Sequence, residues 1–482
     1  MKRIFLFACI GLALFGCKDK VSDDNDMNRY VNKWLYDNMD LLYYWNEELP
    51  DYKSSYSNPA DYFETLINDE DRFSAIFESY EDIANRLNGV SAADVGFDFQ
   101  LYRESSSNDN VIGVVNYVKK GTPAASLGVE RGDWFTKING KQLTITNYSE
   151  LLNSFYDSTA DVKITFALVG NGQITNLSPT TITKVVNYEE DPLYLDTVYT
   201  VQSKKIGYLV YNFFTNDSGD ESMKYDLEIN DAIGRFKDEN ISELVIDLRY
   251  NSGGMMSSAI NIGSMLVPNL TTGKVFTYTE YNQNYTDYFN SSEYKNQSTD
   301  DPFVDNFATT ITADYPAKQT YTVNNVGDKL QRIFFLTGSS TASASEMVIN
   351  GLKPYINCVL IGGTTVGKNV GSVLVHDEDN TKNQWAFMPI VLKYFNKDHQ
   401  SDFTNGFTPD FEIDDNYAYP LGDVREVLLA KAISQITGAS QVQAAKARSF
   451  GAEVRSVGLR NKQPHGLVVK KKAIELYQQK SR

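Results

Sequence analysis

The sequence has 482 residues, of which 42% are hydrophobic, enough for two or three globular domains with sizeable cores. Its formal net charge is -17 at pH 7, so the chain as a whole would repel a phosphate backbone, and we expect no nucleic-acid partner. Only three cysteines occur, two of them within the first 17 residues. The third, Cys358, stands in an apolar run and is predicted to be a core residue, so no disulfide framework is expected.

The first 17 residues have the pattern of a lipoprotein signal peptide. A basic start is followed by an apolar run from Ile4 to Phe15 that is too short to span a bilayer comfortably, and Gly16-Cys17 closes it. We therefore expect cleavage before Cys17, lipidation of its thiol and attachment of the protein to a membrane. The acidic, polar residues 18–26 are predicted to form a tether.

Residues 27–88 carry aromatic and aliphatic side chains at helical spacing on both sides of Pro50. This pattern predicts a small helical domain. An aromatic stripe at this spacing could line a ligand groove, but it is more often part of a core.

Residues 89–170 change to short β-branched runs separated by turns. Pro123-Ala124-Ala125 followed by Gly128 indicates a short helix ended by glycine, and Asn139-Gly140 indicates a tight hairpin. The pattern resembles a PDZ domain of the bacterial protease type. A small β-barrel without a ligand is the alternative.

A PDZ domain adds an extended C-terminal peptide to its sheet as a strand, and backbone amides hold the terminal carboxylate. The resemblance implies that this carboxylate-binding loop and the strand after it are formed by Val95, Gly96, Phe97, Asp98 and Phe99.

Residues 200–436 alternate strands and helices, which predicts an α/β domain. A polar insert at 268–329, rich in Tyr, Asn, Thr and Asp, is expected to cover one side of the site or to form a mobile loop. Residues 438–482 are basic and are predicted to be a flexible tail or a contact with an anionic envelope surface. Buried strands are predicted at 206–211, 244–248, 333–337 and 359–361.

Three turns that contain glycine each follow one of these strands, at 249–254, 337–343 and 362–368. In an open sheet such turns converge at one edge, where ligands bind. Ser343 stands at the start of a helix predicted over 344–352, where the first amides are unpaired.

A serine hydroxyl needs a base to become a nucleophile. The three histidines, at 376, 399 and 465, fall in segments that are predicted to be loop, strand edge or tail, so Lys368 is the better candidate. It must be neutral to accept a proton, which requires burial. An oxyanion at Ser343 could be held by the amide of Ala344 and by an amide of Gly253 or Gly254.

A purely structural interpretation of the serine also exists, because Ser343-x-x-Glu346 is a capping-box pattern. The glycine pair and Lys368 together favour the catalytic interpretation.

These residues together resemble the C-terminal processing peptidases, also called tail-specific proteases. In that family a PDZ domain precedes an α/β domain of the ClpP/crotonase-like type. That domain carries an Asp-Leu-Arg-x-Asn-x-Gly-Gly turn, a Ser-Ala-Ser-Glu segment and a lysine about 25 residues after the serine. The corresponding segments here are Asp247 to Gly254, Ser343 to Glu346, and Lys368.

The resemblance covers roughly residues 88–431 and implies a serine endopeptidase with Ser343 as nucleophile and Lys368 as general base. It further implies that Ala344 and a glycine of the Gly253-Gly254 pair form the oxyanion hole, with Glu346 in a supporting role. Ser252 stands where the family often has proline.

The resemblance also implies polypeptide substrates with accessible C-terminal tails, and no metal, cofactor or nucleotide. The helical segment and the insert fit a lipid-anchored branch found in diderm bacteria. The expected location is therefore the cell envelope, anchored to the outer membrane on its periplasmic or outer face.

Two rival functions remain open. Residues 362–368 are one residue short of a P-loop, but position 369 is asparagine and the following run favours a strand over the helix that an NTPase needs. The second rival is a peptide-binding lipoprotein without turnover. A solvent-exposed Lys368 far from Ser343 would favour that binder.

Overall fold

The structure is a computed structural model that describes residues 20–56, 58–156, 160–170, 173–438, 467–469 and 472–480. The predicted signal peptide, Cys17, His465 and most of the basic segment lie outside the described residues. None of the helices within the described ranges is both long enough and apolar enough to cross a membrane.

The N-terminal region contains three helices and one short strand. Asn58 caps the second helix by accepting from the N–H of Ala60, and Pro59 occupies its first turn, which needs no N–H at that position. The elements are α1 (Lys20–Leu42), α2 (Pro59–Glu64), β1 (Ala75–Phe77) and α3 (Tyr80–Leu87).

Helix α1 begins inside residues 18–26, which were predicted to be a tether. An acidic run is typical of flexible segments, but acidic residues are also favourable near the start of a helix. The acidic composition alone could therefore not distinguish a flexible tether from the start of a helix.

The PDZ-like region is a seven-stranded antiparallel sheet with two short helices. Its strands have the order β3-β4-β5-β7-β8, with β6 paired to β5 and β9 to β7, and β2 and β10 form a separate two-stranded sheet. The elements are β2 (Val90–Asp94), β3 (Phe97–Arg103), β4 (Val111–Val118), α4 (Pro123–Ser126), β5 (Trp134–Ile138), β6 (Lys141–Gln142), α5 (Tyr148–Asn153), β7 (Val162–Gly170), β8 (Gln173–Asn176), β9 (Thr180–Ile182) and β10 (Val185–Glu189).

Two local predictions in this region are confirmed. Helix α4 ends just before Gly128, which has a positive φ of 77°. Asn139-Gly140 turns the chain between β5 and β6, where Ile138 pairs with Lys141.

The third region starts with β11 (Leu193–Val201), β12 (Lys204–Tyr211), α6 (Lys224–Asp238), β13 (Glu243–Asp247), β14 (Gly254–Met255) and α7 (Met256–Leu266). The insert holds β15 (Val275–Tyr281), α8 (Gln283–Asn290), α9 (Ser292–Gln297), β16 (Val304–Asn306), β17 (Thr310–Ala313) and β18 (Gln319–Thr322). The rest comprises β19 (Arg332–Thr337), α10 (Ala344–Leu352), β20 (Asn357–Gly362), β21 (Val370–Ser372), β22 (Val375–His376), β23 (Ala386–Met388), β24 (Ile390–Asn396), β25 (Phe411–Glu412), α11 (Val427–Thr437), β26 (Leu467–Val468) and α12 (Lys472–Lys480).

The central sheet of this region has the order β11-β12-β13-β19-β20-β25. All neighbours are parallel except the β11–β12 hairpin. The four apolar runs predicted to be buried strands form β12, β13, β19 and β20, so the predicted α/β class is confirmed. Alternate residues of each strand face opposite sides: Phe335 lies in the core shared with α10, and Phe334 in the core shared with α11.

The N-terminal helices share a core with this α/β region. Leu35, Met39 and Phe63 are fully buried in the same cluster as Phe335 and Met347. Strand β1 pairs antiparallel with β23. The predicted helical domain therefore packs directly on the α/β region, and its apolar stripe is covered by α/β residues.

A second sheet has the order β14-β26-β21-β24-β15-β16. It includes β15 and β16 of the insert, so this part of the insert is an integral part of the sheet and not a mobile loop. It also includes β26 from the basic segment, which lies between β14 and β21. Tyr477 of α12 packs against Tyr285 of α8 with ring centroids 4.6 Å apart. These residues are docked, unlike the predicted flexible tail, because apolar residues within the basic segment bury against the fold.

Candidate active site

Three turns meet at the carboxyl edge of the central sheet. They leave β13, β19 and β20, which pair in parallel, so their ends lie side by side. The turn after β13 carries Gly253 and Gly254, the turn after β19 leads to Ser343, and the turn after β20 carries Lys368. The structure brings together the residues that were predicted to form the site.

Ser343 is the residue that precedes α10, and it is fully buried. Its backbone is in the left-handed half of conformational space, with φ 60° and ψ -112°. A non-glycine residue in such a conformation costs about 1–3 kcal/mol and is found disproportionately at functional sites. Its Oγ has no hydrogen-bond partner although it is buried.

Ser343 and Glu346 are arranged as in a capping box. The bond from the Ser343 N–H to Glu346 Oε2 is 2.8 Å long, whereas the serine Oγ lacks a partner with good hydrogen-bond geometry. The serine therefore takes the position of a helix cap without committing its hydroxyl, which leaves the oxygen available for chemistry.

Gly253 lies directly against this serine. A Cβ built on Gly253 would be 2.7 Å from Ser343 Cβ and 3.0 Å from the Ala344 nitrogen, and its φ is +104°. A Cβ on Gly254 would lie 2.0 Å from the carbonyl oxygen of Phe214. Both positions exclude any side chain.

Asn251 holds the glycine turn in place. Its Oδ1 accepts from the Gly253 N–H at 2.9 Å, and its Nδ2 donates to the Tyr211 carbonyl at 2.9 Å. Its own carbonyl accepts from the Ala342 N–H at 3.1 Å. The Gly253 N–H is used by Asn251, and Gly254 is paired with Phe214 and with Leu467 of β26.

Lys368 is fully buried. Burial lowers its pKa to about 7, while the nearby carboxylates of Asp71 and Glu346 act in the opposite direction. The ring centroid of Phe73 is 5.1 Å from Lys368 Nζ. A lysine in this environment is neutral in a large fraction of molecules at neutral pH.

Glu346 links the serine and lysine turns. Its two oxygens accept the backbone N–H groups of Ser343, Gly367 and Lys368 and the hydroxyl of Thr365, at 2.6 to 2.8 Å. Burial raises the pKa of this carboxyl, and the four donors oppose that shift. The supporting role predicted for Glu346 corresponds to these contacts.

Tyr394, on β24, makes a second link. Its hydroxyl lies 2.9 Å from the Lys368 carbonyl oxygen and 3.3 Å from that of Ser343, both of which can accept its proton. The serine and lysine segments are thus fixed to each other through both amide and carbonyl groups.

A cleft of about 410 Å³ runs from the PDZ-like sheet to the glycine turn. Phe97, Asp98 and Phe99 line one end of it, and Gly253 and Gly254 line the other. Two of its lining side chains are deeply buried and carry atoms without partners, Oδ1 of Asn116 and Nδ2 of Asn212.

The loop before β3 is partly occupied by the protein itself. Asp94 Oδ1 accepts from the Gly96 N–H at 2.7 Å, and Lys119 bonds both Asp94 and Glu190 at 2.7 Å. Val95 is buried. One of the predicted carboxylate-binding amides, that of Gly96, therefore already contacts a carboxylate of the chain.

Comparisons with known proteins agree with this architecture. The family model described as Peptidase family S41 matches residues 205–413. The Peptidase S41 N-terminal domain matches 30–75, and a PDZ domain matches 114–160. The chain contains a peptidase S41 domain, an S41 N-terminal domain and a PDZ domain.

Relatives of this S41 chain include a CtpA-like serine protease of Staphylococcus aureus (strain bovine RF122 / ET3-1), 22% identical over 68% of this chain and 54% of the relative. The carboxy-terminal processing protease CtpA of Bacillus subtilis (strain 168) is 24% identical over 61% of this chain and 51% of the relative. The chain thus spans about half the length of these curated relatives.

Among solved structures, a candidate S41 protease of Bacteroides fragilis NCTC 9343 has the same fold. It superposes with a TM-score of 0.64 at 24% identity, covering 85% of this chain and 98% of that one. The S41 fold, with an N-terminal domain and a PDZ domain, therefore extends over most of the described chain.

Several residues of the S41 site were not predicted. Asp71 and Phe73 come from the N-terminal region, and Tyr394 from a strand without any motif. Only Asn251 had a signal, since it belongs to the turn that carries the glycine pair. Within the described residues, no group of His, Cys, Asp and Glu side chains could hold a metal ion.

Proposed function

We propose that this S41 chain is a serine endopeptidase that uses Ser343 as nucleophile and Lys368 as general base. The observation that carries the proposal is the shared carboxylate of Glu346, which holds both segments around a buried, unpartnered serine hydroxyl. Lys368 is buried, whereas a solvent-exposed lysine would have favoured a non-catalytic peptide binder.

In the first half of the reaction, Ser343 Oγ attacks the scissile carbonyl and its proton passes to the neutral Lys368. The amide of Ala344 and an amide of the Gly253-Gly254 pair stabilise the oxyanion, and the positive end of α10 adds to this field. Collapse of the tetrahedral intermediate breaks the C–N bond. The leaving amine takes the proton from Lys368, and an ester on Ser343 remains.

In the second half, water attacks the ester carbonyl and Lys368 accepts its proton. The second tetrahedral intermediate expels Ser343 Oγ, which regains its proton from Lys368. The products are a new C-terminal carboxylate and free enzyme.

We further propose that the substrates are polypeptides with flexible C-terminal tails that bind along β3 of the PDZ-like region. The cleft that joins Phe97–Phe99 to the glycine turn supports this, because a tail bound at β3 can extend to the Gly253-Gly254 turn that contacts Ser343. We also propose that Cys17 is lipidated and that the enzyme acts at the outer membrane, on the basis of the N-terminal sequence pattern.

The nucleophile is tested with an unfolded protein substrate and a serine-reactive phosphonate. Wild type is expected to cleave the protein and to gain the mass of the phosphonyl group on the peptide that contains Ser343. Ser343→Ala should lose both properties while its circular dichroism spectrum is retained. Equal cleavage by Ser343→Ala would rule out this nucleophile, and a folded wild type without cleavage of any tested tail would favour the peptide binder.

A further inference from the structure

The N-terminal region reaches the candidate site through three consecutive residues, Asp71, Arg72 and Phe73. The Phe73 ring is the aromatic group over Lys368 Nζ, at 5.1 Å from ring centroid to nitrogen. It also packs against the main core. It therefore occupies space next to the amine that water would otherwise fill.

Asp71 places a fixed negative charge near the same lysine. It is 3% exposed, and Oδ1 accepts the N–H groups of Phe73 and Ser74 at 2.8 and 2.9 Å. Oδ2 accepts from the hydroxyl of Tyr43 on the N-terminal helical segment at 2.8 Å. Asp71 and Glu346 are the two carboxylates whose charges act on Lys368.

Arg72 fastens this segment to the lysine turn. Its guanidinium donates to the Val366 carbonyl at 3.1 Å and to the Thr404 carbonyl at 2.8 Å. On the far side, Ser74 Oγ accepts from the Ile390 N–H at 2.9 Å. Strand β1 then continues into the pairing with β23. The segment is thus held at both ends around the lysine.

We propose that residues 71–73 are positioning residues of the active site: the N-terminal domain closes the site over Lys368 and keeps its amine dry enough to serve as a base. This rests on the proposed function of Lys368 but concerns a different part of the chain. The α/β domain alone would then hold the lysine turn but would leave Lys368 uncovered on the side where residues 71–73 lie.

Phe73 and Asp71 act on the lysine with opposite signs. Replacing Phe73 by Ala admits water to Nζ, which favours the ammonium form and raises the pKa of Lys368. The lost contact between the ring and the cation acts the other way, but desolvation is the largest influence on this lysine. Replacing Asp71 by Asn removes a charge that favours the ammonium form, so the pKa falls. Glu346, the other carboxylate that faces Nζ, is unchanged in both variants.

The experiment measures the pH profile of kcat/KM of the full chain and, separately, the titration of Lys368. For the titration, ¹⁵Nζ-labelled lysine is followed by NMR in a Ser343→Ala background, with Lys368→Met to assign the signal. We expect Phe73→Ala to move both midpoints up by about 1 pH unit and Asp71→Asn to move both down by a similar amount. Phe73→Leu, which keeps the site dry, should stay close to wild type.

Phe395→Ala is the matched control, because it removes a ring that lies 5.6 Å from another lysine, Lys393, outside the site. It should shift neither midpoint. Folded Phe73→Ala and Asp71→Asn proteins with the wild-type Lys368 midpoint would overturn the proposal, as would shifts of the same sign. If Phe73→Ala does not fold, a wild-type midpoint in Asp71→Asn is sufficient to overturn it.

The titration does not depend on turnover, so the two proposals can fail separately. If the Lys368 midpoint shifts with the expected signs but Ser343→Ala still cleaves, the role of residues 71–73 stands and Ser343 is not the nucleophile. If Ser343→Ala loses cleavage but the Lys368 midpoint is unchanged in Phe73→Ala and Asp71→Asn, Ser343 stands as the nucleophile and the role of residues 71–73 is rejected.

Discussion

Glu346 Oε2 accepts the backbone N–H of Lys368 at 2.8 Å. The same oxygen accepts the N–H of Ser343 at 2.8 Å, so one atom joins the two segments that carry the proposed nucleophile and base. The second oxygen takes the hydroxyl of Thr365 and the N–H of Gly367. The carboxylate thus sets the separation of the serine and lysine backbones without being placed as a proton carrier.

Replacing Glu346 by Gln should disturb this arrangement although the side chains have the same shape. The amide has one acceptor oxygen, and its NH₂ group would face donors, so at least one buried N–H loses its partner. We expect a loss of about 1–3 kcal/mol in the free energy of unfolding and about 100-fold in kcat. Urea denaturation and steady-state kinetics measure both.

The matched control is Glu412→Gln, which makes the same change at an exposed position on β25. It should leave stability within about 0.5 kcal/mol of wild type and activity unchanged. Removal of the Glu346 charge should also lower the pKa of Lys368, since that charge favours the ammonium form. A Glu346→Gln enzyme with wild-type activity would show that the linkage is unnecessary.

The proposed base predicts a specific pH dependence. Because the pKa of Lys368 is about 7, kcat/KM should rise about tenfold per pH unit well below pH 7 and level off above it. A profile from pH 5 to 9 with a small neutral substrate measures this. A limb that rises only near pH 10 would mean that Lys368 is not held in the neutral form.

The same lysine should reduce stability at neutral and acidic pH. Its folded pKa of about 7 lies below the ordinary value of 10.5. Below pH 7 both states bind the proton and the folded protein bears the full cost of a buried ammonium. Between pH 7 and 10.5 only the unfolded chain binds it, so stability rises with pH by about 1.4 kcal/mol per unit. Lys368→Met should therefore be inactive, more stable than wild type at pH 6, and no more stable near pH 10.

The local parts of the site could be predicted from the sequence because local physics determines them. The helix predicted over 344–352 is α10 with the same bounds, since Ser343 and Glu346 define its start within four residues. The three turns follow strands whose apolar runs are unambiguous, and parallel strands bring their ends together.

The remaining parts depend on contacts between distant segments. Phe73 and Lys368 are brought together by the docking of the N-terminal region, and nothing in the spacing of either segment indicates that contact. The same holds for β26, whose two residues pair with strands far earlier in the chain. The basic composition around β26 predicted a solvent-exposed segment, but a few apolar residues in it are buried and determine where it packs.

The contact between Gly253 and Ser343 predicts that Gly253→Ala abolishes catalysis. The new methyl group would lie 2.7 Å from Ser343 Cβ, at a φ of +104°. We expect stability to fall by about 1–3 kcal/mol and kcat/KM to fall at least about 100-fold. Thermal denaturation and cleavage kinetics measure the two effects.

Gly273→Ala is the control that separates the steric clash with Ser343 from the strain of placing alanine at a positive φ. Gly273 has a φ of +79° with no atom within 4 Å of the added Cβ. It should cost about 1 kcal/mol of stability and leave kcat/KM unchanged. Equal activity losses in the two variants would show that the close approach to Ser343 is irrelevant.

Lipidation of Cys17 predicts that the wild-type protein sediments with membranes and incorporates a labelled fatty acid. Cys17→Ser should lose the label, because the hydroxyl cannot form the thioether to the lipid. Cys358→Ser is the control and should keep it, since that thiol is partly buried in the fold and desolvation raises its pKa to about 12. Equal labelling of Cys17→Ser and wild type would exclude this anchor.

Asp98 predicts a pH-dependent selection of tails in the cleft. Burial raises its pKa to about 7; the Asn116 amide at 2.6 Å and the charge of Lys119 oppose this, and the charges of Glu190 and Asp94 add to it. Above pH 7 the ionised carboxylate should repel an acidic residue in a bound tail, whereas below pH 7 the neutral acid should tolerate it.

Two peptides that differ only by Glu or Gln near the C-terminus measure this selection as a ratio of kcat/KM. We expect the Gln peptide to be favoured about fivefold to tenfold at pH 8, with the ratio near one at pH 6. Asp98→Asn should abolish the pH dependence of the ratio, because no charge remains to titrate. Asp161→Asn, the same charge change at an exposed position on the PDZ-like region, should preserve it. Lys368 acts on both peptides alike, so its ionisation cancels in the ratio. If Asp98→Asn kept the wild-type pH dependence of the ratio, the bound tail would have to lie away from Asp98.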